Sequence, residues 1–183
     1  MHVTKNTVIT ELFDVTASSY AINHVIVETA NDLGFLLPEG HQLKSYGAAV
    51  AAAFSSLFKF LRSNRDALFY LSNAKGRIPD DKYNTLVIKY VETSSEECFE
   101  AFRTVEKRIT NNLMSPRKLT KEEAKEKIDV TPAYLVYNIL LTYLNSMAKM
   151  MSEAEGLLKT LINMVGSEKL EYVPDKPQTV TLH

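Results

Sequence analysis

The chain has 183 residues, a net charge of −1 from 21 basic and 22 acidic side chains, and 45% apolar residues. That length supports one domain with a sizeable core, and the composition is that of a folded chain, which excludes general disorder. The near-neutral charge excludes a global field drawing the protein to nucleic acid or anionic lipid, so any such contact has to be a local patch.

One cysteine, Cys98, rules out an intramolecular disulfide and fits a reducing compartment. The opening MHVTKNTVITELFD lacks the basic flank and apolar run of a signal peptide. No uncharged apolar run reaches the ~18 residues that a membrane span requires. The expectation is a cytoplasmic protein with no membrane span, or a virion component if it is an assembly protein. Glycine and proline number six each and fall mostly between periodic segments, which favours helices with few breaks.

The first helix is predicted from Thr7 to Leu33. Val8, Leu12, Val15, Ser19, Ile22, Ile26 and Ala30 recur at the spacing of one helix face. Gly34 is the expected left-handed stop. FLLPEGHQLKS then reads as a linker broken by Pro38 and Gly40. A second helix is predicted over about Gln42 to Arg62. Within it, SYGAAVAAAFSSLFKF carries no charge from Tyr46 to Phe58. Val50, Phe54, Leu57, Phe58 and Leu61 form a bulky face, and Gly47, Ala48, Ala51, Ala52 and Ser55 a thin one. A thin face lets a neighbouring backbone approach closely, so this helix is predicted to be central and nearly all buried.

Ser63 or Asn64 is placed to cap a short third helix that ends at Gly76. The next helix starts near Pro79 and Asp80 and runs to about Leu113, as one helix rather than two despite TSSEE at 93–97. MSPRKL is a turn. Thr120 and Glu123 form a capping box for a short charged helix ending near Asp129. Thr131-Pro132 opens a last helix dense in apolar residues, expected to stop at Gly166. Residues 167–183 contain Pro174 and Pro177 and are expected to be extended or disordered. The fold class that follows is all-α. Residues 1–166 make one elongated bundle of about four to six helices, with two long antiparallel helices, and residues 167–183 an extended tail. Helices of ~33 residues are ~50 Å long, more than the ~40 Å diameter of a sphere of this chain length.

The residue types that carry chemistry are sparse. His2, His24, His41 and His183 are scattered, and neither HExxH nor a Glu-x-x-His pair occurs. Phosphate-loop, dinucleotide and G-x-S-x-G motifs are absent. No cofactor or metal is indicated, and catalysis keeps only an unrecognised carboxylate site as a route. Cys98 lies on the apolar side of its helix and reads as a buried, inert thiol. His24 is expected to be half-buried and hydrogen-bonded.

Three surface features remain. Residues 59–77 hold Lys59, Arg62, Arg65, Lys75 and Arg77 against one acid, Asp66, a candidate anion or nucleic-acid patch. Its alternative is a solvated corner whose cations pair with Glu96, Glu97 or Glu100. Tyr143, Met147, Met150 and Met151 crowd the last helix and are a candidate oligomer interface, although methionine is also ordinary core filler. Tyr172, Val173, Val180 and Leu182 would make the tail a docking arm. Size and texture are similar to those of small helical proteins of viral coats, phage assembly and RNA-guided complexes, and no residue singles one out. The expectation is a non-enzymatic interaction protein, a homo-oligomer or a subunit of a larger complex. The alternatives are a nucleic-acid-binding subunit using residues 59–77, and an enzyme with a carboxylate site.

Overall fold

Thr4 starts the first helix by accepting the Thr7 amide on its side-chain oxygen at 3.1 Å, a capping bond that satisfies one free N–H. The helix α1 spans Lys5–Leu36 in the computed structural model, which describes residues 3–113 and 131–172. Its buried stripe runs from Val8 through Leu12, Val15, Ser19 and Ile26 to Leu33. Two hydroxyls on that stripe do not stay unsatisfied. Thr16 donates to the Leu12 carbonyl and Ser19 to the Val15 carbonyl, each at 2.8 Å. Gly34 does not stop the helix, contrary to expectation. The positive-φ glycines are Gly40 at 85° and Gly76 at 81°, and both serve turns.

The predicted second helix is two helices, α2 over Gln42–Ser55 and α3 over Phe58–Ala74. His41 opens α2 by accepting the Leu43 amide on Nδ1 at 3.1 Å, a cap the sequence reading missed. The break at Ser56 and Leu57 coincides with a tertiary contact. Buried Asn23 of α1 donates its amide to the Phe54 carbonyl at 2.9 Å, and the Leu57 amide also turns in on that oxygen at 3.1 Å. The Asn23 side chain and the Leu57 amide thus share one carbonyl at the bend between α2 and α3. The expected cap at Ser63 or Asn64 is not used, because α3 has already begun, and Asn64 is buried mid-helix.

The thin face also needs correction. Gly47 and Ala51, one turn apart, are buried, while Ala48, Ala52 and Ser55 are exposed. The helix is therefore an outer one and not central. Its contact stripe is narrow and close. A β-carbon built on Gly47 would lie 2.6 Å from the Ala30 carbonyl oxygen of α1 and 3.1 Å from Leu33 Cβ. Glycine there is what lets the two backbones meet. Of the bulky face, Val50, Phe54 and Leu61 are fully buried and Leu57 and Phe58 half so.

After the turn at Gly76, α4 runs unbroken over Asp80–Arg108 and passes into a π-helical turn, Ile109–Leu113. Asp80 and Asp81 in its first turn and Lys107 and Arg108 in its last complement the helix dipole. The last helix, α5, covers Thr131–Tyr172, 42 residues or ~63 Å at 1.5 Å per residue. It passes through Gly166 and ends at Tyr172, two residues before Pro174, so the proposed boundary at 166 is not a helix end. The capping-box helix at 120–129 lies outside the described residues.

Ring and polar contacts give the directions. Phe13 meets Phe69 at 5.5 Å and Tyr20 lies under the Arg65 guanidinium at 4.4 Å, so α3 runs antiparallel to α1. Tyr46 of α2 donates to the Leu113 carbonyl at 2.7 Å and its ring lies 5.3 Å from that of Tyr137. Arg103 of α4 donates to Glu155 of α5 at 2.9 Å. The result is an elongated all-α bundle that runs up, down, up and down, with α2 and α3 as one bent strut. α1 packs on α2, α3 and α5, and α4 packs on α5, whereas α3 and α4 meet only sparsely. The bundle is closed on three edges and open along the fourth. No helix among the described residues is long and apolar enough to cross a membrane.

Candidate interaction surfaces and the open edge

The methionine cluster is split by helix geometry. Met147 and Met151, one turn apart, are 0% and 2% exposed and belong to the chain's own core. They are unavailable to a partner, which removes them from the candidate interface. Tyr143 and Met150 lie on the flank of that stripe and are half-buried. The exposed apolar surface of α5 lies nearer its start. Leu135 is 60% and Ile139 48% exposed, one turn apart, and Tyr143 follows one turn on. Residues 131–148 contain no charged side chain. Inward-facing Ala133, Tyr137, Leu140 and Leu144 account for the apolar bias of one side, but not for Leu135 and Ile139.

The cations of residues 59–77 do not converge. Arg65 pairs with Asp66 at 3.1 Å and covers the Tyr20 ring. Lys75 pairs with Asp80 at 3.1 Å and lies 5.0 Å over Tyr83. The pairing partners are thus neighbours in sequence rather than Glu96, Glu97 or Glu100. Lys59 and Lys75 stand at opposite ends of α3, separated by ~24 Å of helix at 1.5 Å per residue. Arg62 and Arg77 are exposed. His24 is exposed too, and its ring packs against Phe58 at 4.3 Å and Tyr20 at 4.8 Å. Of the tail residues, Tyr172 closes α5, and Val173, Val180 and Leu182 lie outside the described residues.

No protein-family model, curated protein or solved structure matches this chain.

The open edge between α3 and α4 has polar chemistry at its floor. Tyr90 donates its hydroxyl to Asn64 Oδ1 at 2.7 Å, and Cys98 donates its thiol to the same oxygen at 3.5 Å. Burial pushes the Cys98 thiol from an ordinary 9.0 up to about 11, with the Glu97 carboxylate adding to the rise. Burial also raises the Tyr90 hydroxyl well above its ordinary value. Both groups are therefore neutral donors at neutral pH, and Cys98 is a thiol, not a nucleophilic thiolate. Small side chains, Ser63 and Ala67 on α3 and Ser94 on α4, leave the space above them unfilled. The TSSEE segment thus opens a groove rather than breaking a helix. Among the described residues, no three His, Cys, Asp or Glu side chains stand close enough to hold a metal.

Proposed function

We propose that this chain is a non-enzymatic assembly protein that pairs with a second copy of itself through the start of α5. The observation that supports this reading is the exposed pair Leu135 and Ile139 within the uncharged run 131–148. Single exposed apolar residues are ordinary. Two of them one turn apart, with half-buried Tyr143 continuing the row, form a strip rather than scatter. A two-fold contact places the same strip on both partners, so charges within it would oppose like charges. An uncharged strip meets its copy without that repulsion. Nucleic acid is the less favoured partner, since Arg65 and Lys75 are engaged by Asp66 and Asp80 and the cations are spread along α3.

Light scattering tests the reading. At about 100 μM, well above a micromolar dissociation constant, the wild-type chain should show the mass of a dimer or larger particle. Leu135→Glu with Ile139→Glu should reduce that to the monomer mass while keeping the helical circular dichroism. A monomeric wild type at that concentration overturns the proposal.

A further inference from the structure

The open edge between α3 and α4 is walled partly by apolar side chains that the described helices leave incompletely covered. Leu57, Phe60 and Ala101 are half-buried and Ala67 is exposed, and the two helices touch only sparsely. Two spaces meet at Phe60. One of about 460 Å³ lies beside Ser63, Ala67 and Ser94, and one of about 300 Å³ runs on past Leu57 and Ala101. Serine and threonine side chains, Ser63, Ser94 and Thr104, alternate with the apolar ones along these walls. That mixture suits an extended peptide, whose side chains need apolar cover and whose backbone needs polar neighbours. Lys59 and Glu97 give the walls one charge of each sign, so no charge is asked of an occupant.

We propose that residues 178–182 of the same chain occupy this groove, with Val180 and Leu182 turned in towards Phe60 and Ala67, and Thr179 and Thr181 turned out. Chain length selects the segment. Glu155 of α5 pairs with Arg103 of α4, and α5 runs on for about 17 residues, ~26 Å, to Tyr172. Because the two helices are antiparallel, that end stands level with about Leu86 of α4. The groove opens at Ser94, ~12 Å further along α4, and one helix spacing, ~10 Å, to the side. A path of ~22 Å takes about seven extended residues at ~3.3 Å each, so a chain leaving Tyr172 arrives at about Thr179. There the sequence alternates Thr, Val, Thr, Leu, and an extended strand puts the second and fourth on one side. Gln178 to Leu182 carries no charge, as the balanced walls require. Docking takes Val180, Leu182 and the apolar groove wall out of water together, which is the driving force.

Paired substitutions in the ¹⁵N-labelled full chain test the alternation. Val180→Asp with Leu182→Asp should move the backbone amide signals of Ser63, Ala67, Ser94 and Ala101 and lower the melting temperature by about 3–10 °C. Thr179→Asp with Thr181→Asp adds the same two charges on the other side of the strand. It should leave the groove signals in place and shift melting by less than about 2 °C. Ala67→Leu, at an exposed position on the groove wall, should displace the segment, so that adding Val180→Asp and Leu182→Asp to it changes nothing further. Dilution of the wild type by about tenfold separates the chain's own segment from that of a second copy, since only the second is lost by mass action. The groove signals should stay where they are. The proposal is overturned if those signals ignore Val180→Asp with Leu182→Asp, or if the threonine pair moves them as far. It is equally overturned if the effects of Ala67→Leu and the two aspartates simply add, or if dilution moves the signals to the positions seen in Val180→Asp with Leu182→Asp.

Discussion

Gly47→Ala is the sharpest test of how α1 and α2 meet. Taken alone, the change should help, since alanine is favoured over glycine inside a helix by about 1 kcal/mol. At this site the added methyl carbon would sit 2.6 Å from the Ala30 carbonyl oxygen and 3.1 Å from Leu33 Cβ. Ordinary carbon–oxygen contacts are about 3.3–3.6 Å, so the backbones must part by roughly 0.7–1 Å. The oxygen belongs to a helix backbone and cannot swing aside as a side chain would. Gaps of that size forfeit about a quarter to a half of each dispersion contact around them. Buried Leu43, Val50 and Phe54 share that contact stripe. Overpacking of this kind costs about 1–3 kcal/mol. Gly156→Ala supplies the control, because Gly156 is helical and has nothing within 4 Å of its built β-carbon. Both changes carry the same intrinsic gain, so their difference isolates the steric cost. At about 2–4 °C per kcal/mol for a chain of this size, Gly47→Ala should melt roughly 2–12 °C below Gly156→Ala. Melts followed by circular dichroism at one fixed protein concentration read this directly. If Gly47→Ala melts as high as Gly156→Ala, the close approach of the two helices is refuted.

Asn23→Ala removes the amide that holds the Phe54 carbonyl and should cost about 1–2 kcal/mol in urea unfolding; a wild-type midpoint would show that this hydrogen bond adds nothing to stability. Ala51→Leu should cost about 1–3 kcal/mol and Ala52→Leu less than about 0.5, because only the first is buried; equal melting temperatures would count against this placement of α2. Cys98 keeps its proton to about pH 11 in the folded chain against an ordinary 9.0, so the unfolded chain releases it first and stability falls as pH rises from 9 to 11. Cys98→Ala should flatten that decline, whose slope for one proton approaches about 1.4 kcal/mol per pH unit. An unchanged alkaline slope would mean the thiol titrates alike in both states.

The sequence by itself determined what depends on neighbours along the chain. Apolar spacing placed α1, α4 and α5 close to their observed ranges, and Pro38, Gly40 and Gly76 marked the turns, because periodicity and backbone preference are local properties. TSSEE did not break α4, since a serine-rich stretch only lowers helix propensity and packing of Tyr90, Cys98 and Phe102 overrides it. The break at Ser56 was not legible, and the contact found there comes from Asn23, far away in sequence, through a buried side-chain amide. The same is true of the thin face. Gly47 and Ala48 read alike as small residues, and only the direction in which α1 lies decides that one is pressed on a backbone and the other faces water. Asn64 read as a helix cap for the same reason. Its three-way contact with Tyr90 and Cys98 exists only once α4 has folded back beside α3. Leu135 and Met147 are both apolar residues of one helix, and the sequence gives each the same weight. Burial alone separates the side chain that fills the core from the one left for a partner, because burial is a property of the surrounding helices and not of the residue.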